Sequence, residues 1–344
     1  MIQRIHKSFK LNGVSHNEQS LLKIINSNRD LLFLRNLIIS WFNTNNFLEV
    51  KTSGSTGNPK KIKIPKEDFI ESCLLTKKTF DLNEKSRVIN CLPVDYIAGK
   101  MMFIRALVLG FDIYTFPIKS KPIDKLESNY DLIAMTPLQL ANSINKIERI
   151  KNVIVGGGPV QNDLKRKILR LKNNIFETYG MTESLTHVAI KNLTNNEKNF
   201  HALEGITFAK KSGCLLVNTP HLSIKKIQTN DEINLLSKTE FSWLGRKDFI
   251  INSGGVKINP EELEKKLNES YDQNFIISSI ADEKLGQKLV IVFEKKIPPD
   301  WIKSLEKFEK IIRPKKVFCL NKFLYVNGKT DRKYVKNSIE KLSN

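Results

Sequence analysis

Residues 87–116 read R-V-I-N-C-L-P-V-D-Y-I-A-G-K-M-M-F-I-R-A-L-V-L-G-F-D-I-Y-T-F. The short apolar runs at 87–92 and 111–116 predict strands, and the longer apolar stretch 98–109 between them predicts a helix. The alternation extends both ways. Helical spacing covers 66–80, strands are expected at 131–135, 152–155 and 174–178, and helices are expected from near Pro137 and over 161–171. Strands alternating with helices predict an α/β fold with a mostly parallel sheet. Past His201 the pattern changes to short strands at 213–218, 226–228 and 240–244, which predicts a small β subdomain. A boundary is expected at 246–248, dividing the chain into 1–246 and 247–344. The second part reads as a small α+β unit: a glycine turn at Gly254 and Gly255, a helix over 260–268, strands at 275–280 and 288–293, a helix over 300–311 and a basic tail.

Composition narrows the class. The 344 residues are 40% hydrophobic and 27% charged, with 16 Gly and 12 Pro, which excludes disorder or a fibrous repeat as the main state. Cys73, Cys91, Cys214 and Cys319 are scattered, a pattern of packed thiols in a reducing compartment rather than of a disulfide framework. The longest apolar run, 101–109, is interrupted by Arg105, and residues 1–10 do not read as a signal peptide, so a cytoplasmic protein without a membrane span is expected. The net charge of +20 attracts polyanions. Lysine is nevertheless spread along the chain without a zinc-finger spacing or an RNA-binding strand motif, so a nucleic-acid role is not expected.

Residues 50–60 read V-K-T-S-G-S-T-G-N-P-K. Gly54 and Gly57 allow the backbone to turn its N–H groups inward, while Thr52, Ser53, Ser55, Thr56 and Lys60 add hydroxyl donors and a cation, together a cradle for phosphate. Pro59 stands where a Walker-type loop needs glycine, which disfavours that class of NTPase, and a plain Ser/Gly surface turn shares the composition. Four further segments follow: E-T-Y-G-M-T-E-S at 177–184, G-R-K-D at 245–248, S-G-G-V-K-I-N-P-E-E-L-E at 253–264 and N-G-K-T-D-R at 327–332.

In that order the five segments resemble the adenylate-forming superfamily of acyl-CoA synthetases and adenylation domains. The resemblance implies a large N-terminal adenylate-forming domain with a small β subdomain, a small mobile C-terminal domain, and ATP, Mg²⁺ and CoA as reactants. It implies that loop 52–60 holds phosphates and that Gly157 and Gly158 run past the adenine. Tyr179 and Gly180 would border the adenine, Thr182 would meet phosphate, and Glu183 would hold the metal. By the same resemblance Asp231 and Arg246 take the ribose, Asp248 is the hinge, Gly254, Gly255 and Lys257 line the thiol tunnel, and Lys329 supplies the adenylating charge. A homodimer is a further expectation of the resemblance.

The short stretch before the phosphate loop, and the segment C-L-P-V-D-Y-I-A-G-K at 91–100, look most like the short bacterial O-succinylbenzoate–CoA ligases of menaquinone synthesis. Asp95 and Tyr96 depart from the superfamily, which has an aromatic and a histidine there. A dicarboxylate needs a cation for its second carboxylate. Lys100 is the candidate, with Thr136, Ser184, Thr186 and His187 as lining. A CoA ligase for another aryl or short-chain acid, and a nucleic-acid-binding protein on an inactive adenylating scaffold, are the alternatives.

Overall fold

The computed structural model describes residues 4–51, 61–158, 160–267, 270, 271, 273–306, 308–326 and 329–343. It divides into two compact units. The first comprises 1–209, 216–227 and 236–241; the second comprises 210–215, 228–235 and 242–344.

The core of the first unit is a parallel sheet in the order Asp112–Thr115, Arg87–Asn90, Tyr130–Met135, Ile150–Val155, Asn174–Gly180. Successive side chains of a strand point to opposite faces, and the core divides accordingly. Val88, Leu132, Ala134 and Ile154 join a cluster with Phe69 and Cys73 of helix Lys66–Thr79 and Phe103 and Leu107 of helix Ile97–Leu109. Ile89, Ile133, Met135, Val153 and Val155 join another with Leu140 of Pro137–Ser143 and Leu164 and Ile168 of Asn162–Ile168. Helices therefore cover both faces, as the near-continuous apolar strands require. Beyond the last parallel strand, His187–Asn192 pairs antiparallel with Asn174–Gly180, and Phe200–Ala202 pairs with His187–Asn192.

Local chemistry sets the element ends. Gly110, at φ +80°, closes helix Ile97–Leu109 in the left-handed conformation. Thr136 caps Pro137–Ser143: its Oγ1 accepts from Gln139 N at 3.2 Å, and Gln139 Oε1 accepts from Thr136 N at 3.0 Å. Helix Asn162–Ile168 is shorter than the expected 161–171, and strand Lys226–Ser237 runs far past the expected 226–228, so Asp231 lies within a strand rather than after one.

The second unit holds a sheet of Val256–Ile258, Ile251–Ser253, Gly286–Glu294 and Phe275–Asp282, with Lys316–Leu320 parallel to Gly286–Glu294. Ile277, Ile291 and Phe293 face helix Pro260–Leu267, while Ile276, Val290 and Val292 face Val335 and Ile339. Two expectations are corrected here. The helix expected over 300–311 is only the 3-10 turns Lys303–Leu305 and Lys310–Ile312. The carbonyls of Glu306 and Phe308, which a continuing helix would use, instead accept from the Arg313 guanidinium at 2.7 and 2.6 Å. The basic tail is helix Arg332–Lys341, capped by Asp331, whose Oδ1 accepts from Tyr334 N at 2.9 Å. Its lysines point away while Val335 and Ile339 are buried.

Candidate active site

Parallel α/β sheets bind ligands outside the carboxyl ends of their strands, because the connecting loops there are free to carry chemistry. In the first unit, three neighbouring strands end in residues singled out by the motifs. Tyr130–Met135 leads into Thr136, Ile150–Val155 into Gly156–Gly158, and Asn174–Gly180 carries Tyr179 and Gly180 before the turn Thr182–Ser184. The phosphate-loop residues Thr52, Ser53, Gly54, Ser55, Thr56, Gly57 and Lys60 lie outside the described residues. The strands either side, Phe47–Lys51 and Lys61–Pro65, pair antiparallel.

Two glycines here are required by geometry. Gly157 has φ +86°, a conformation that side chains other than glycine's rarely tolerate. A Cβ on Gly180 would sit 1.8 Å from the Thr186 carbonyl oxygen, because the bulged pairing of Gly180 with His187 brings the two backbones together. Tyr179 is half-buried, its ring 5.2 Å from Phe241 edge-on and 5.8 Å from Phe200. Behind it Glu177 and Lys191 form an ion pair at 2.8 Å, and the Lys191 ammonium lies 4.4 Å from the Phe200 ring centre. The aromatic group thus has a fixed wall.

After Gly180 the chain makes a tight turn. The Ser184 hydroxyl accepts from Met181 N and donates to the carbonyls of Met181 and Thr186, and Leu185 takes φ +67°. Ser184 therefore spends its hydroxyl on the turn, as Thr136 spends its on the helix cap. Thr182 is buried and Glu183 half-buried on this turn. Among the described residues there is no cluster of three or more His, Cys, Asp or Glu able to enclose a metal. Glu183 is nonetheless a hard oxygen donor of the kind Mg²⁺ takes when phosphates supply most of the remaining ligands.

The sequence reading passed over Arg105. It lies on helix Ile97–Leu109 at 1% exposure, among apolar neighbours. Its Nη2 donates to Thr186 Oγ1 at 3.0 Å and its Nη1 reaches Met102 Sδ at 3.5 Å, while Nε has no partner among the described residues. No carboxylate pairs with it among the described residues, and burial pushes its pKa down to about 10. Thr186 Oγ1 also lies 3.4 Å from Ser72 Oγ. The neighbouring His187 ring has no partner on Nε2 among the described residues, and burial, helped by the Arg105 charge, holds its pKa well below the usual value. The signal was legible as a single cation inside 101–109. Lys100, on the same helix, is half-buried; burial lowers its pKa and Asp95 partly restores it.

In the second unit Asp231 Oδ1 accepts from Trp243 Nε1 at 3.0 Å and lies 4.0 Å from Arg246 Nη1. The Arg246 guanidinium donates to Asp248, which also accepts from Asn230 Nδ2 at 3.0 Å. Gly254 and Gly255, at φ +59° and +81°, form the turn of the Ile251–Ser253 and Val256–Ile258 hairpin, and Lys257 is exposed. Lys329 pairs by its backbone with Val326 in a short hairpin.

Known proteins share stretches of this sequence and its fold. Residues 51–210 match the AMP-binding enzyme family. The 2-succinylbenzoate–CoA ligase of Haemophilus influenzae is 23% identical over 271 residues, covering 71% of this chain and 58% of that protein. The chain thus spans little more than half the length of the first curated relatives it matches. An acyl-CoA synthetase (AMP-forming)/AMP-acid ligase II-like protein from Dyadobacter fermentans is similar in structure, with TM-score 0.60 and 29% identity over 91% of this chain and 97% of its own. The O-succinylbenzoate coenzyme A synthetase of Bacillus subtilis, solved with ATP and magnesium, superposes with TM-score 0.72 at 19% identity, over 83% of this chain and 68% of its own. No helix among the described residues is long and apolar enough to cross a membrane. The large parallel-cored sheet and the separate smaller sheet match the fold of adenylate-forming enzymes, and residues 51–210 match the AMP-binding enzyme family model.

Proposed function

We propose that the chain is an AMP-forming acid–CoA ligase that converts 2-succinylbenzoate and CoA to 2-succinylbenzoyl-CoA through an acyl adenylate, in menaquinone synthesis. The observation that carries the adenylating part is the gathering of Gly156–Gly158, Tyr179, Gly180, Thr182 and Glu183 at the carboxyl ends of adjacent parallel strands. In this reading the acid's carboxylate attacks the α-phosphate of ATP and pyrophosphate leaves. Such a displacement needs positioning and neutralised charge more than covalent help.

Each residue then has a task. Tyr179, braced by Phe241 and Phe200, presents a ring for the adenine. Thr182 donates to phosphate, and Glu183 would hold Mg²⁺, whose chemistry is to neutralise phosphate charge. Loop 52–60, whose glycines, hydroxyls and lysine suit phosphate, takes the phosphates in this reading. Asp231 accepts from the ribose hydroxyls beside Arg246, and Lys329 brings a cation to the transferring oxygen. Asp248, within the second unit, is the hinge between the domains 1–246 and 247–344; Gly254, Gly255 and Lys257 then meet the thiol of CoA.

The dicarboxylate is supported by the 97–109 helix. A second carboxylate must find a cation, and Lys100 and Arg105 are both there. Asp95 already partners Lys100 electrostatically, whereas Arg105 is buried with no carboxylate of its own among the described residues, beside Thr186 and His187. Arg105 is therefore the better match. The test is AMP and CoA-thioester formation from ATP, Mg²⁺ and CoA, comparing 2-succinylbenzoate with benzoate and a fatty acid. Turnover of 2-succinylbenzoate alone, abolished in Lys329→Ala, is expected. Turnover of another acid retains the ligase and removes the pathway; no AMP from any acid removes both.

A further inference from the structure

Three charged side chains of the second unit have no part in the reaction as described, yet they are among its most enclosed. Arg332, the first residue of helix Arg332–Lys341, donates through Nη2 to Glu264 Oε2 and through Nη1 to the Ile277 carbonyl at 3.3 Å, and its Nε lies 3.8 Å from Glu261 Oε1. Side-chain exposures are 16% for Arg332, 15% for Glu261 and 13% for Glu264, so water screens the group little. Glu264 accepts from Ile277 N at 2.6 Å, and Glu261 accepts from the Arg246 backbone N–H at 2.6 Å. The Arg332 guanidinium also lies 5.2 Å from the Phe249 ring centre. One cation thus ties the edge strand Phe275–Asp282, helix Pro260–Leu267 and the segment that carries Arg246, Asp248 and Phe249.

The other side of Arg332 leads to the lysine. Asp331 N donates to the Leu324 carbonyl at 2.8 Å, closing the base of the hairpin in which Tyr325 pairs with Thr330 and Val326 with Lys329. Tyr325 OH donates to Glu294 Oε2 at 3.0 Å and fixes the opposite strand. Arg332 is three residues from Lys329, with no slack between them other than this hairpin end.

We propose that Glu264, Glu261 and Arg332 form a strut that sets the position of the Lys329 hairpin relative to the Arg246–Asp248 segment, and that acyl-adenylate formation depends on it while thioester formation does not. This rests on the reading of Lys329 as the adenylating residue. They are positioning residues: none needs to touch substrate. Two carboxylates share a single guanidinium here, and burial raises the pKa of both while Arg332 opposes that, which suits an interaction that must hold one geometry rather than maximise stability.

The test uses Glu264→Gln and Arg332→Lys in the full chain. Both roughly keep the volume; each removes part of the fork that the guanidinium makes with Glu264 and the Ile277 carbonyl. Two half-reactions are measured: ATP–pyrophosphate exchange with 2-succinylbenzoate, and CoA-thioester formation from supplied 2-succinylbenzoyl adenylate. A displaced catalytic group costs on the order of 100-fold, so adenylation should fall by about that factor in each variant while the thioester step stays within about twofold. The double variant should be no slower than the slower single one, since both cut the same strut. Equal losses in both half-reactions, or no loss in either, would overturn the proposal. If the wild-type chain forms no adenylate, the reaction assigned above fails, and amide exchange still decides the strut. Faster exchange across 325–330 in both variants at unchanged Tm sustains it, and unchanged exchange overturns it.

Discussion

Replacing Arg105 by Met separates structure from recognition at the proposed acid site. A guanidinium whose pKa burial lowers to about 10 carries its charge into the fold at a cost of about 3 kcal/mol, taking 1.36 kcal/mol per pKa unit. The sign follows from proton uptake: above about pH 10 the unfolded chain binds more protons, so the penalty is fully present at neutral pH and eases only as pH rises past about 10. Methionine retains much of the apolar stem and forfeits the charge-assisted hydrogen bond to Thr186, worth about 1.5 kcal/mol, leaving a net gain of about 1 to 2 kcal/mol. In a unit of this size, roughly 230 residues, that raises Tm by about 2 to 8 °C. The same change deprives a second carboxylate of its partner. KM for 2-succinylbenzoate should rise by about 10- to 150-fold, the equivalent of one charged hydrogen bond, with kcat little altered. Thermal melts and steady-state kinetics read the two effects on one preparation. A fall in Tm together with an unchanged KM would refute the reasoning, for it would make Arg105 a packing residue.

Gly180→Ala forces a Cβ to within 1.8 Å of the Thr186 carbonyl, a backbone contact that cannot rotate away; a loss of about 3 kcal/mol or more and a drop in Tm of several degrees are expected in thermal melts. Lys66 Nζ donates to the backbone and side-chain oxygens of Asn43 at 3.0 Å, and burial with the nearby Arg4 lowers its pKa from 10.5 to about 8. Between those values the unfolded chain holds more protons, so stability should rise with pH from about 8 towards 10.5, and urea midpoints should show that rise in the wild type and not in Lys66→Met.

How much could be read in advance depended on the range of the interaction concerned. The strands at 87–90, 130–135 and 150–155 announced themselves because a doubly covered parallel strand is apolar on both faces. Helix Arg332–Lys341 did not: only Val335 and Ile339 are buried among many lysines, and two apolar positions in ten make a faint stripe. The turns within 300–311 were misread for the opposite reason. Local spacing there favours a helix, but Arg313 captures the carbonyls that would have propagated it.

The chemistry followed the same division. The order of the short segments, the glycines at 157 and 180 and the acids at 183 and 231 are properties of the chain as a string, because backbone freedom and ligand type belong to a residue wherever it folds. Whether a hydroxyl is free is decided elsewhere. Thr136 and Ser184 bear the right group for a binding site, yet one caps a helix and the other closes a turn. Arg105 stands in the sequence as one cation in an apolar run, and Glu264 as one acid in an acidic helix. Only the tertiary structure buries the first without a counter-ion among the described residues and the second against Arg332, since desolvation and pairing arise between residues far apart in the chain.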